Sequence, residues 1–163
     1  RVPFFMQLPG VIAPGSQFTA PVSHFDIFAT SAALAGVQPP ADRVIDGVNL
    51  IPFARGEQVG RPHEQMFWRS GAYQVARSGD WKLQVNQTQD KLWLFNLQDD
   101  PTEQHNLVDA EPARVKELLA QLAEFNSQQK APLWPSLVEA PILIDKPLNR
   151  PQTADDEFIY WSN

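Results

Sequence analysis

Residues 65–97 read QMFWRSGAYQVARSGDWKLQVNQTQDKLWLFNL, and this stretch decides the fold. It contains four short runs rich in aromatic and apolar residues, at 65–69, 72–77, 80–85 and 91–95. Two Ser-Gly pairs and one polar segment separate the runs, and all three favour turns. Short strands without intervening helices predict an antiparallel meander. The alternation of Trp81, Leu83 and Val85 with polar residues predicts that one face of this sheet is buried.

An amphipathic helix is predicted after the meander, from about residue 110 to residue 128. Its apolar stripe consists of Val115, Leu118, Leu119, Leu122 and Phe125. Asp109 is the candidate N-cap, and Pro112 falls in the first turn, where its missing N–H does no harm. We expect this helix to pack across the buried face of the meander.

The first 36 residues predict one strand and one helix. Residues 1–12 are apolar on both sides of an extended chain, which is typical of a strand in a sheet covered on both faces. Such a strand needs neighbouring strands, and nothing else in the first 60 residues supplies them. The helix is expected from about residue 24 to 35, with Ser23 as N-cap and Gly36 just past its end. Its apolar face is formed by Phe25, Phe28, Ala32 and Ala35.

The tail and the overall composition give two kinds of expectation, one about structure and one about binding partners. Residues 131–163 contain five prolines and little periodicity, which predicts an extended tail along a partly apolar surface. A net charge of −6 argues against nucleic acid and against anionic membrane surfaces. No apolar run approaches the roughly 20 residues of a membrane helix. The absence of cysteine excludes disulfides and thiolate metal sites within the chain.

Seven short motifs follow one another in a recognisable order. They are Arg-Val-Pro-Phe at 1–4, Pro-Gly at 9–10, Ser-His-x-Asp at 23–26, Leu-Ala-Gly at 34–36, Asp-Gly-Val-x-Leu at 46–50, Ala-Arg-x-Gly-Asp-Trp-Lys-Leu at 76–83, and Leu-Phe-Asn-Leu-x-x-Asp-Pro-x-Glu-x-x-Asn-Leu at 94–107. In this order and spacing the chain resembles the C-terminal third of a sulfatase, a sulfate-ester hydrolase of the alkaline phosphatase superfamily. One departure is Ala29, where the family commonly has proline.

The resemblance implies an α+β chain with three parts. Residues 1–58 would be the terminal strand and helix of the sulfatase α/β catalytic domain. Residues 62–130 would be a small four-stranded antiparallel sheet packed on a C-terminal helix, and residues 131–163 an extended proline-rich tail. The parent protein would act on a sulfated small molecule or glycan, with no nucleic acid or membrane partner. Its compartment stays open, and a periplasmic or secreted location is compatible with the resemblance.

The resemblance also implies where the chemistry lies. Sulfatases use a formylglycine, made within Cys/Ser-x-Pro-x-Arg, and a calcium ion held by Asp and Asn side chains. This chain has no cysteine, and none of its serines is followed by x-Pro-x-Arg. The nucleophile and the calcium site are therefore expected in an N-terminal catalytic part that precedes Arg1. We expect the 163 residues alone to be inactive, with no catalytic or metal-binding residue of their own.

Four residues are carried over as candidates near the substrate cleft. By the resemblance, His63, Trp68 and Arg69 lie where the small sheet begins and are candidates for contact with substrate. Arg1 matches an arginine close to the active site and is assigned to the structural shell around it. The competing interpretation is that Trp68 fills the core and Arg69 pairs with a carboxylate.

Other residue groups and other protein classes compete with these predictions. His24 and Asp26 do not share a helix face as metal ligands would, so capping and packing are favoured. Asp99, Asp100 and Glu103 lack the ligand spacing of a calcium loop and are interpreted as a turn. The alternative parent is a phosphodiesterase or phosphonate monoester hydrolase of the same superfamily. The five tryptophans raise the further possibility of a carbohydrate-binding accessory module.

Overall fold

The computed structural model describes residues 2–87, 90–131, 133–134, 139–143, 150–151, 153–154 and 158–162, with 139–143 and 158–162 described by backbone alone. The helices are α1 Phe25–Leu34, α2 Ile51–Ala54 and α3 Pro112–Ser127, and the strands are β1 Gln65–Ser70, β2 Tyr73–Ser78, β3 Trp81–Asn86, β4 Lys91–Asn96, β5 Glu139–Leu143 and β6 Phe158–Ser162. The chain divides into two compact units, residues 1–64 and residues 65–163.

The predicted meander is confirmed. Strands β1 to β4 form one antiparallel sheet in the order β1-β2-β3-β4. Its two tight turns have Gly71 at φ 57° and Gly79 at φ 59°, a left-handed conformation that glycine adopts without steric cost.

Helix α3 covers one face of this sheet, as predicted. Sheet residues meet helix residues in one buried cluster of Ala76, Leu83, Val85, Leu94, Val115, Leu118 and Leu122. Pro112 is confirmed in the first turn, but Asp109 is not the cap: Glu111 occupies the N-cap position without a side-chain hydrogen bond. Proline at the first helical position makes the residue before it the cap.

The opposite face of the sheet is also buried, which corrects the prediction of a single buried face. A second cluster consists of Tyr73, Val75, Trp93, Phe95 and Leu97. Gln84, whose polarity predicted a solvent-facing position, is only 3% exposed. The backbone of β6 lies beside β2, and β5 and β6 pair antiparallel. The tail therefore contains a strand pair that its proline content concealed, and Pro141 is tolerated there because both strands of a two-stranded sheet are edges.

In the first unit, α1 is confirmed at Phe25–Leu34. The predicted N-cap is displaced by one residue, since His24 holds that position. The short helix α2 was not predicted, although Pro52 near its start suits a helix beginning.

The predicted first strand is wrong for this chain. Residues 2–12 contain no strand, and Val2 and Phe5 are 89% and 90% exposed. An extended segment becomes a strand only when a neighbour takes up its backbone N–H and C=O groups. The rest of the first unit offers no such neighbour, because none of its described residues is in a strand.

The predicted apolar face of α1 is also on the wrong side. Phe25 and Phe28 are about half exposed, whereas Asp26, Ala29 and Thr30 are buried. The cause is hydrogen bonding. Asp26 accepts the N–H of Val48 and Thr30 accepts the N–H of Leu50, so this side of α1 faces the segment at 48–50 and is buried. Among the described residues, no helix is long and apolar enough to cross a membrane.

Candidate functional site

Asp26 is the centre of the polar contacts in the first unit. Its side chain is fully buried and accepts the backbone N–H of Ser23 at 2.7 Å and of Val48 at 2.8 Å. Nε2 of His63 lies 2.8 and 3.0 Å from its two oxygens. A carboxylate only accepts hydrogen bonds, so Nε2 must carry the imidazole proton. One side chain thus joins the start of α1, the segment at 48 and the end of the first unit.

Gly47, from the motif at 46–50, and Thr30 of α1 complete this junction. A Cβ at Gly47 would lie 2.2 Å from the carbonyl oxygen of Phe25, so only glycine allows this close approach. The Thr30 hydroxyl accepts the N–H of Leu50 at 3.0 Å and donates to the carbonyl of Val48 at 3.5 Å. Gly47 is therefore a point of close backbone approach to α1.

His63 is largely buried and bonds to Asp26 within the first unit. Its side chain is 13% exposed, and its Nε2 is used by Asp26. This contact was missed from the sequence, because residues 26 and 63 are far apart along the chain. The predicted substrate role of His63 therefore rests on the other ring nitrogen, Nδ1.

Trp68 and Arg69 point to opposite faces of the sheet, since successive strand residues alternate. Trp68 pairs in register with Val75 and is 41% exposed, so the competing interpretation, in which it fills the core, is wrong. Arg69 donates to Oδ1 of Asn126 and to the carbonyl of Lys130, each at 3.4 Å. An amide and a carbonyl near the C-terminus of α3 thus take the place of the predicted carboxylate.

The other predicted positions divide between described and undescribed residues. Arg1 lies outside the described residues, as does the side chain of Trp161. Trp93 is buried in the second cluster, and Trp81 is half-buried under the guanidinium of Arg114. Trp134 is 75% exposed. Of the tryptophans whose side chains are described, Trp68 and Trp134 are therefore the open ones.

A second polar network connects the sheet to the loop after β4. Glu103 accepts Lys82 Nζ at 2.8 and 2.7 Å and Gln84 Nε2 at 2.7 Å. The hydroxyl of Tyr73 donates to Oε1 of Gln84 at 2.6 Å. Glu103 has φ 61°, an uncommon backbone conformation for a residue with a side chain, and these bonds hold it there. The sequence feature that could have indicated this network is Gln84, a polar residue between the apolar residues Leu83 and Val85.

Burial raises the pKa of the Tyr73 phenol well above its ordinary value, and the negative charge of Glu103 adds to the shift. The phenol therefore remains a hydrogen-bond donor at every physiological pH. It serves the network as a fixed structural group.

Asn106 and Asp100, two further residues of the motif at 94–107, bond to backbone groups. Oδ1 of Asn106 accepts the N–H of Leu94 at 2.9 Å, and its Nδ2 donates to the carbonyl of Leu92 at 3.2 Å, so its amide imitates a neighbouring strand at the edge of β4. Oδ2 of Asp100 accepts the N–H of His105 at 2.8 Å. Burial works to raise the pKa of Asp100, but the N–H groups of Gln104 and His105 hold it below its ordinary value.

The acidic residues of this motif do not fit a calcium ion. Asp99 accepts Asn96 Nδ2, Asp100 accepts a backbone N–H, and Glu103 accepts Lys82 and Gln84. Each carboxylate is directed at a different donor, and a calcium site needs six or more converging oxygens. Within the described part of the chain, no group of three His, Cys, Asp or Glu residues is placed to hold a metal ion.

Asn86-Gln87-Thr88 matches the sequence pattern of an N-glycosylation site, but Asn86 is buried. Its side chain is 1% exposed at the end of β3. A glycan on this side chain would require the sheet to open.

A family model described as "N-sulphoglucosamine sulphohydrolase, C-terminal" matches residues 1–131. The chain belongs to this family. It is 39% identical to rat steryl-sulfatase over 101 residues, which are 62% of this chain and 17% of that protein. It is 37% identical to mouse N-acetylgalactosamine-6-sulfatase over 86 residues, which are 52% of this chain and 16% of that protein. The chain thus spans about one sixth of the length of these curated relatives.

Solved structures agree with this family membership. The crystal structure of Ps i-CgsB superposes with a TM-score of 0.66 at 26% identity, over 77% of this chain and 29% of that one. The same protein has been solved in complex with k-i-k-neocarrahexaose. A putative sulfatase from Bacteroides thetaiotaomicron has a TM-score of 0.54 at 24% identity, over 63% and 24% of the two chains, and supports the fold.

Proposed function

We propose that this chain is the C-terminal part of a sulfatase that hydrolyses aryl or carbohydrate sulfate esters. The observation that carries the proposal is the family model that matches residues 1–131. The contacts of the motif residues agree with it, because Asp26, Gly47, Glu103 and Asn106 all have structural roles. Motif residues with roles in packing and hydrogen bonding are expected in a supporting part of an enzyme.

We place the chemistry in a preceding catalytic part of the parent protein. Hydrolysis of a sulfate ester at neutral pH needs a strong nucleophile, a cation for the sulfate oxygens and an acid for the leaving group. In the proposal, formylglycine and calcium supply the first two from that part. Two features support this: the chain has no cysteine, and its motif carboxylates are committed to internal donors.

The chain would border the substrate cleft through its small sheet. Trp68 is the best-supported contact among the three candidates, since its ring is partly open while His63 and Arg69 bond to groups within the chain. An open indole suits stacking on a sugar or aryl ring of the substrate. The prediction for Trp68→Ala in the parent enzyme is a higher KM with little change in thermal stability.

A substrate panel tests the reaction class. The purified parent enzyme is assayed with an aryl sulfate, a sulfated monosaccharide, an aryl phosphodiester and a phosphonate monoester. The proposal expects hydrolysis of a sulfate ester to dominate. Preferential hydrolysis of the phosphodiester or the phosphonate would replace it with the other reaction class of the superfamily.

A carbohydrate-binding accessory module is the second candidate, favoured by the exposure of Trp68 and Trp134. Binding of sulfated oligosaccharides to the isolated chain distinguishes it from the main proposal. Saturable binding that is lost in both Trp68→Ala and Trp134→Ala would favour the accessory module.

A further inference from the structure

One row of side chains crosses the face of the sheet that lies opposite α3. The strand register places Trp68, Val75, Gln84 and Trp93 next to one another, from β1 to β4. Residues paired in this way point to the same face of a sheet. Val75, Gln84 and Trp93 are buried, whereas Trp68 at the edge is 41% exposed. The covered part of this face therefore ends at Trp68.

Two elements cover this face. The loop after β4 covers its middle, because Glu103 bonds to Lys82 and Gln84 of β3. The tail strand β6 lies beside β2 without pairing with it. Strands β1 and β3 already flank β2, and α3 packs against Ala76 on the other face. The face on which Val75 is buried is therefore the place left for β6.

The strand pair β5–β6 lies outside the part that the family model matches. That match ends at residue 131, whereas β5 is Glu139–Leu143 and β6 is Phe158–Ser162. The two strands contain one charged residue, Glu139. The pair thus brings at most one negative charge to the covered side of Trp68.

We propose that the strand pair β5–β6 is a substrate-specificity element, which completes the contact that Trp68 makes with the substrate. The proposal rests on the proposed function, in which the Trp68 indole stacks on a ring of the substrate. Neighbouring strands lie about 4.8 Å apart, so an element packed on β2 is within reach of a ligand held at β1.

The charge of the strand pair defines the part of the substrate that it favours. An indole stacks well on an uncharged sugar or aryl ring. The adjoining strands offer such a ring a nearly uncharged surface, and the carboxylate of Glu139 would repel a second sulfate group. We therefore expect this contact to hold an uncharged ring that neighbours the sulfated one.

Thiol labelling tests the position of the tail without relying on enzyme activity. The chain has no native cysteine, so Val75→Cys introduces a single thiol under the proposed cover. It should react slowly in the 163-residue chain and roughly tenfold or more faster in a chain that ends at residue 131. Ala76→Cys, fully buried in the cluster with α3, is the matched control and should stay slow in both. Slow labelling of Val75→Cys in both chains would overturn the proposal.

A spin label keeps the test decisive if the shortened chain unfolds, which rapid labelling of Ala76→Cys would reveal. A nitroxide on Ser162→Cys of the full 163-residue chain broadens the amide signals of nearby residues. The proposal expects stronger broadening at Val75 than at Leu118 of α3, on the other side of the sheet. Equal broadening, or stronger broadening at Leu118, would overturn it.

Kinetics of the parent enzyme test the specificity role. Deletion of residues 132–163 should raise the KM for a disaccharide with one sulfate by about fivefold, with little change in kcat. The KM for a sulfated monosaccharide should stay the same, because it lacks the neighbouring ring. In a Trp68→Ala background the deletion should have little further effect, since the two act on one ring. An unchanged KM for the disaccharide would overturn the proposal.

Asn106→Ala is the matched control for lost stability. It weakens the sheet at β4, the edge opposite Trp68, and should leave both KM values unchanged. An active sulfatase whose deletion variant keeps its KM for the disaccharide refutes this proposal alone. A parent inactive on every sulfate ester refutes the proposed function and the specificity role with it, whereas the labelling result still decides where β6 lies.

Discussion

At the scale of single residues, Asp26 shows a motif carboxylate in a structural role, as its sequence context favoured. A His-x-Asp sequence at a helix start suggests chemistry, yet the carboxylate binds two backbone N–H groups and a distant imidazole. A buried carboxylate costs free energy unless such donors surround it. The residue therefore holds three segments in fixed positions.

Replacing this carboxylate should destabilise the protein strongly. Asp26→Asn turns an amide NH₂ toward groups that are themselves donors, so at least one buried hydrogen bond is lost. The expected loss in the free energy of unfolding is about 3 kcal/mol. Urea denaturation of the purified chain measures it. Asp42→Asn is the control, because Asp42 pairs with Arg43 on the exposed surface, and no measurable change is expected. A fully stable Asp26→Asn protein would contradict the structural role.

Tyr73 should make the folded state sensitive to high pH. Because burial raises its pKa in the folded state, the folded protein holds this proton more tightly than the unfolded chain does. The resulting stability is present below the ordinary value of 10.0 and is lost as the pH rises above it.

Denaturation of the wild type and of Tyr73→Phe, from neutral pH to about pH 11, measures this effect. At neutral pH the variant should lose about 1 kcal/mol, the value of the hydrogen bond to Gln84. Above pH 10 its stability should decline less steeply than that of the wild type. Parallel pH profiles would show that Tyr73 titrates normally.

At the scale of elements, turn chemistry and periodicity predict much of the second unit. The Ser-Gly turns predict the order of β1 to β4, and the stripe of leucines predicts how α3 packs. Local patterns failed where a contact is distant or absent. Residues 2–12 have the composition of a strand but no partner, and the tail strands β5 and β6 are interrupted by prolines.

In the candidate site, too, local patterns identify some residues but do not identify their distant partners. The pairing of His63 with Asp26 depends on a contact across 37 residues, which no local pattern encodes. Glu103 and Asn106 could be named from their motif, but their partners on β3 and β4 could not.

Asn106 gives a prediction for the edge of the sheet. Its side chain satisfies backbone groups of β4 that would otherwise face solvent. Asn106→Ala should lower the free energy of unfolding by roughly 1–2 kcal/mol and speed hydrogen exchange at the N–H of Leu94. Gln104→Ala is the control, since among the bonds described for it the side chain of Gln104 donates only to the neighbouring carbonyl of Thr102. Unchanged exchange at Leu94 in Asn106→Ala would argue against the strand-like role.

At the scale of the whole molecule, the two units differ in how much of their apolar surface is buried. The second unit buries both faces of its sheet, whereas the first leaves an apolar helix face and an extended segment uncovered. The contrast is consistent with the proposal that the chain is one part of a larger protein. Membership of the sulfatase C-terminal family agrees with that arrangement.

The most direct test compares the turnover of an aryl sulfate by two purified proteins, the full parent enzyme and the 163-residue chain. We predict steady hydrolysis by the parent, which carries the proposed nucleophile and calcium, and none above the buffer control by the chain. Sulfate release by the isolated chain, free of contaminating enzyme, would contradict the account.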